Sequence, residues 1–135
     1  MTSSRNHIET VNAAYERFNN KDFPGVLDLF HPDAEHSDLL REGTTHRGRD
    51  AILRLWSERF AEASAHARIY EMFDLGNLIV AVVRYQVHDP QGVPFGSPMI
   101  AVHRFVFRED RIARLEVTVV DALSDDTKAL LLQQA

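Results

Sequence analysis

Apolar positions follow two different periods along the chain. In the first half, Ile8, Val11, Tyr15 and Phe18 recur every three or four residues. That spacing predicts an amphipathic helix with one buried stripe, beginning near His7. Asn19-Asn20-Lys21-Asp22 ends it. Pro24 suits the first turn of a second, short helix, whose core face is Val26, Leu27 and Phe30. His31-Pro32-Asp33 is expected to stop that helix, since a residue before proline is pushed out of the helical region. Ala34 to Leu39 reads as a strand, and Arg41 to Arg49 as a polar connector containing Gly43 and Gly48. Ile52, Leu55, Trp56 and Phe60 return to helical spacing, which predicts a third helix from Asp50 to about Ala65.

The second half alternates instead. His66 to Leu75 alternates loosely, and Gly76-Asn77 marks a turn. Leu78 to His88 is rich in Val, Ile and Tyr and reads as a long strand. Asp89-Pro90-Gln91-Gly92 turns the chain into a strand over Met99–Phe107, with Pro98 at its start. Arg108-Glu109-Asp110 is a tight hairpin connection, and Arg111 to Asp121 is the last strand. Ser124 is a good N-cap for a short final helix carrying Leu130 to Leu132. Helices followed by an antiparallel meander make an α+β domain. A curved antiparallel sheet wrapped around helices forms a cone, whose inside is the natural ligand cavity.

Composition narrows the class without naming a chemistry. The chain has 135 residues, 44% hydrophobic and 26% charged, as expected of a single globular domain over residues 1–135. A net charge of −5 and scattered Lys and Arg argue against a nucleic-acid partner. The absence of cysteine removes disulfides, thiolate metal sites and cysteine nucleophiles. No apolar run reaches the ~20 residues of a membrane helix, so no membrane partner is expected and a soluble cytoplasmic protein is the default.

The candidate chemistry starts on the first strand. Strand alternation puts Ala34, His36 and Asp38 on one face, so an imidazole and a carboxylate enter the interior together. A carboxylate in an apolar cavity has its charged form disfavoured and becomes a useful base near neutral pH; the plain alternative is a carboxylate capped by backbone N–H groups or paired with arginine. His36 reads as a second base, as the group that sets Asp38's state, or as a histidine satisfied by the backbone. Tyr15 lies on the stripe of the first helix with Val11 and Phe18, where its hydroxyl needs a partner. His103 shares an otherwise apolar face with Met99, Ala101 and Phe105. Phe18, Trp56, Phe60, Met99, Val117 and Val119 are expected to line the cavity. Arg84, on the side of Leu78, Val80 and Val82, is read as binding an anionic substrate group, holding Asp38 or Asp121 ionised, or entering a dimer interface. Asp121 ends the last strand on the face of Val117 and Val119, as a cavity acid or as a cap to the final helix. His36, Asp38 and His103 also have the ligand types of a two-histidine, one-carboxylate iron site.

Several segments together resemble the nuclear-transport-factor-2-like superfamily, and within it the SnoaL-like and ketosteroid-isomerase-like proteins. They are the first helix with Tyr15, Asn20-Lys21-Asp22, Val26 to Phe30, His31-Pro32-Asp33-Ala34, Arg47 to Ile52 and the Phe107 to Ile112 hairpin. The resemblance covers nearly the whole chain and implies a cone-shaped α+β fold with an internal cavity. In ketosteroid isomerases a helix-one tyrosine and a protonated aspartic acid form an oxyanion hole, and a first-strand aspartate moves the proton. Tyr15 and Asp38 match the tyrosine and the base. His103 stands where the protonated aspartic acid would be, which is a departure, although a histidine also donates hydrogen bonds. The implied chemistry is cofactor-independent proton transfer on a small, mostly apolar carbonyl compound, of isomerase, cyclase or dehydratase type. A non-catalytic ligand-binding domain is the alternative. The resemblance further implies a homodimer, expected through an outer sheet face carrying Val83, Tyr85 and Val87.

Overall fold

The computed structural model describes residues 4–38 and 44–120. Asp121 and the final helix expected from Ser124 lie outside the described residues. The elements in order are α1 (Ser4–Asn19), α2 (Phe23–Leu27), β1 (Phe30–Asp38), β2 (Thr44–Arg47), α3 (Arg49–Arg59), β3 (Ser64–Asp74), β4 (Leu78–His88), β5 (Pro94–Arg108) and β6 (Arg111–Val120). The strands form one curved, unclosed sheet in the order β2-β1-β6-β5-β4-β3. The α+β architecture is as expected. One joint in the sheet is parallel, between β1 and β6; the other pairs are antiparallel.

Helix α1 ends as its sequence suggests. The Asp22 amide donates to the Arg17 carbonyl and the Lys21 amide to the Phe18 carbonyl, with Lys21 left-handed at φ 59°. This is the paired-bond closure usually completed by glycine. Asp22 then caps α2 by accepting from the Gly25 amide. Three boundaries differ from the periodicity. Phe30 begins β1 instead of closing α2, so the strand starts before Ala34. Arg41 to Arg49 is not wholly a connector, because Thr44 to Arg47 pairs with β1. Helix α3 stops at Arg59, because β3 begins at Ser64 to pair with His88 of β4. Ala61-Glu62-Ala63 has good helix propensity, and strand pairing overrides it. Gly48, at φ 89° and ψ 152°, makes the turn from β2 into α3 in a conformation that side chains avoid.

The core lies between the helices and the concave face of the sheet. Val11, Phe30, Ile52, Ile79, Val83 and Ile112 are among its fully buried members. A second cluster, Leu78, Val80, Val82 and Val102, occupies the opposite face. This corrects the reading of β4. Val83 is buried in the main core, and Tyr85 and Val87 line its cavity. The outer face expected to make a dimer is therefore not built from these three residues. Arg84 marks the true outer side: it is exposed and lines no part of the cavity.

Two polar clamps fix α1 over the sheet. Near its start, the buried His7 bonds through Nδ1 to the Gly76 carbonyl at 2.8 Å and stacks on Phe107 at 4.1 Å. At its end, the Asn19 amide takes both backbone groups of Ala67, accepting its N–H at 2.8 Å and donating to its carbonyl at 3.0 Å. Ala67 belongs to β3, an edge strand whose outer groups would otherwise go unpaired. Asn19→Ala is expected to lower unfolding free energy by about 1–3 kcal/mol, because two half-buried backbone groups lose their partner. Urea denaturation with an unchanged slope checks this.

Candidate functional site

Between α1, α3 and the concave sheet face lies a cavity of about 280 Å³. Its walls are mainly aromatic and aliphatic. Phe18, Trp56, Phe60, Met99, Val117 and Val119 all line it. Trp56 sits at the centre of an edge-on aromatic cluster, 5.9 Å from Phe30 and 6.3 Å from Phe18. Met99 is 42% exposed and marks the open side.

Polar side chains enter this apolar space from four elements, Tyr15 from α1, His36 from β1, Tyr85 from β4 and His103 from β5, with Arg59 of α3 also in the wall. Sheet register explains His36 and His103. His36 is partnered by Leu115 and Leu115 by Phe105, while His103 is partnered by Val117 in the next inward-facing row. His36 packs edge-on to Trp56 at 5.9 Å. The Tyr15 hydroxyl bonds to His103 Nδ1 at 2.5 Å, and the Tyr85 hydroxyl bonds to Nε2 at 2.8 Å. Both ring nitrogens of His103 are thus engaged.

The protonation state of this group follows from its burial. Burial pushes the His103 pKa down to about 3, with His36 nearby acting in the same direction. Burial also raises both tyrosines: Tyr15 well above its ordinary value, with Tyr85 adding to the rise, and Tyr85 against the opposing pull of the Arg59 cation. All three side chains are neutral at physiological pH. A neutral imidazole offers one N–H and one bare nitrogen. One tyrosine therefore donates to the ring and the other accepts from it, and the accepting tyrosine keeps its own O–H for another acceptor.

Asp38 closes β1, with its backbone opposite Thr44 and Val117; its side chain lies outside the described residues. Val117 is in turn opposite His103. Asp38 and His103 thus share one transverse row, two strand spacings apart, or roughly 10 Å between backbones. The sequence reading missed two polar lining residues, Tyr85 and Arg59. Arg84 held the signal for Tyr85: an arginine in an apolar strand prefers solvent, so its neighbours in sequence face inward. Arg59 ends α3 at the cavity wall, a position hidden by the expectation that this helix runs on to Ala65. The iron-site reading fares poorly at His103, because a ligating histidine must present a bare nitrogen. Among the described residues no three His, Cys, Asp or Glu side chains are grouped to hold a metal ion.

The SnoaL-like domain family matches residues 11–115, most of the chain. The protein belongs to the SnoaL-like domain family. Three solved structures show the same fold. One is TerC, co-crystallised with polyporic acid, at 21% identity and TM-score 0.73 over 85% of this chain and 92% of that one. Another is a candidate polyketide cyclase from Sinorhizobium meliloti, at 29% identity and TM-score 0.69 over 82% and 94%. The third is a nuclear-transport-factor-2-like protein of unknown function from Burkholderia pseudomallei, at 22% identity and TM-score 0.74 over the full length of both chains. No curated protein matches the chain. Among the described residues no helix of this SnoaL-like domain is long and apolar enough to cross a membrane.

The depressed histidine carries a pH signature. His103 gains a proton near its ordinary pKa when unfolded, but only near pH 3 when folded. Its contribution to stability is therefore complete above about pH 6.5 and is lost as pH falls towards the folded value. Unfolding free energy is expected to drop by about 1.4 kcal/mol per pH unit from this group alone through that window. His103→Gln should flatten the slope in the same titration, read by chemical denaturation at successive pH values.

Proposed function

We propose that this SnoaL-like domain takes a small, mostly apolar carbonyl compound into the cavity and catalyses cofactor-independent proton transfer on it. The observation that carries this reading is the neutral Tyr15–His103–Tyr85 group, which holds one O–H donor ready within apolar walls. A carbonyl oxygen accepts such a bond weakly in the ground state and strongly as it becomes an enolate. In the proposed reaction Asp38 takes a proton from the carbon next to the carbonyl. The free tyrosine hydroxyl stabilises the oxygen on which charge develops. Asp38 lies in the same row as His103, across a span that suits one ring of a ligand. His36, beside Trp56 in the wall, orients the ligand or tunes the base.

Isomerisation, aldol-type cyclisation and dehydration share this first step. Two relatives support the substrate class: one was crystallised with polyporic acid and another is a candidate polyketide cyclase. The walls suit a flat, cyclic body, with Trp56 and Phe60 against its faces. Arg59 gives a ligand with an acidic group a cation at the cavity wall.

The test uses the single tryptophan of the chain, which lines the cavity and reports binding by its fluorescence. Cyclic ketones that quench Trp56 are expected to undergo exchange of their acidic C–H protons with deuterated water, followed by NMR. Asp38→Asn should slow that exchange by roughly 100-fold or more while quenching persists. Exchange at the wild-type rate in Asp38→Asn removes Asp38 as the base. Quenching with no exchange in the wild type turns the cavity into a binding site without catalysis.

A further inference from the structure

Tyr15, His103 and Tyr85 form one unbroken hydrogen-bonded chain whose two ends both lie on the cavity wall. The chain has two neutral arrangements. In one, Tyr15 donates to Nδ1, Nε2–H donates to the Tyr85 oxygen, and the Tyr85 O–H is free for the cavity. In the other, Tyr85 donates to Nε2, Nδ1–H donates to the Tyr15 oxygen, and the Tyr15 O–H is free. Both pair each ring nitrogen with a tyrosine oxygen and leave a single O–H for a ligand, so the two arrangements match in hydrogen-bond count. They differ only in which imidazole nitrogen holds the hydrogen.

We infer that Tyr15, His103 and Tyr85 act as one bifunctional proton relay, which takes a proton from a ligand at one tyrosine oxygen and returns a proton at the other. The inference rests on the proton-transfer reading above; it adds Tyr85 and a substrate class, and for enols it assigns the proton at carbon to Tyr85 in place of Asp38. The step balances without an external acid or base. A ligand O–H gives its proton to the Tyr15 oxygen, and Tyr15 passes its own to Nδ1. Nε2 passes its hydrogen to the Tyr85 oxygen, and Tyr85 gives its outward hydrogen to a carbon of the ligand. One O–H bond of the ligand breaks, one C–H bond forms, and His103 ends as the other neutral tautomer. Passage in the reverse direction, with water at the open side, resets it.

Burial favours this path over stepwise charge. An imidazolium or a tyrosinate in these walls would be formed against strong desolvation. A concerted shift avoids both. The ligand class that fits is an enolisable compound with an apolar ring, carrying the O–H it loses close to the carbon it protonates. Enols of aryl 1,3-diketones have this pattern.

Benzoylacetone is the probe, because its enol and keto forms differ in ultraviolet absorbance. The wild type is expected to accelerate their interconversion. The amide of Gln in His103→Gln can still bridge both tyrosines but passes no proton. That variant is expected to lose roughly 100-fold in rate, with affinity, read from Trp56 quenching, changed by no more than about twofold. Tyr85→Phe cuts the relay at one end, should lose as much, and serves if His103→Gln does not fold. Nitrogen-15 spectra of His103 read the relay without turnover: both ring nitrogens should show values averaged between the two neutral tautomers. A full rate in His103→Gln, with the rate lost in Asp38→Asn, overturns the relay and leaves the wider reading standing. Bound benzoylacetone that the wild type does not accelerate removes both. One fixed tautomer, or an imidazolium at neutral pH, overturns the relay whether or not the probe binds.

Discussion

The cavity depends on a histidine that cannot afford a charge. His103 sits within apolar walls, and both of its nitrogens are taken by tyrosine hydroxyls. Without those partners the imidazole would be a buried polar group at a cost of a few kcal/mol. With them, each hydroxyl also gains the partner that a buried tyrosine needs. The three side chains therefore satisfy one another, and the loss of any one strands the others. The same closure that stabilises the wall leaves one hydroxyl hydrogen available to a ligand. Structural and chemical demands meet in the same hydrogen-bond count.

That count holds only if three elements keep their places. Tyr15 is delivered by a helix, Tyr85 and His103 by neighbouring strands. The helix is fastened at both ends, by His7 to the Gly76 carbonyl and by Asn19 to the Ala67 backbone. These clamps use carbonyl and amide groups at a turn and at a sheet edge, where backbone groups are left over after strand pairing. The site is thus held by bonds that also close the fold. A change at Asn19, one turn along α1 from Tyr15, bears on the Tyr15 hydroxyl through the helix axis.

Much of this was legible from residues alone. The stripe Val11, Tyr15, Phe18 placed Tyr15 on the inner side of α1, and the structure has it there. The alternation Ala34, His36 put His36 inside, and the face Met99, Ala101, His103, Phe105 was assigned as it stands. The strand Leu78–His88 matched at both ends. What failed was the choice of face on that strand. Leu78, Val80 and Val82 are as apolar as Ile79, Ala81 and Val83, because both sides of the sheet are buried there. Alternation carries no information when both faces are dry. The strand Thr44 to Arg47 was hidden for a related reason: its polar residues carry no apolar alternation.

The sequence by itself determined the class of fold, the order of most elements and the inward direction of Tyr15, His36 and His103. These rest on local periodicity, which each segment carries within itself. Only the tertiary structure decided that β1 joins β6 in parallel, that α3 yields to β3, and that Tyr85 faces the cavity. Each of these is a contact between segments far apart in the chain, set by which pairing buries most and satisfies most backbone groups. Tyr15 and His103 are 88 positions apart, and Tyr85 and His103 are 18 apart. No local pattern encodes that one imidazole will lie between those two hydroxyls; the packing of α1 across β4 and β5 does.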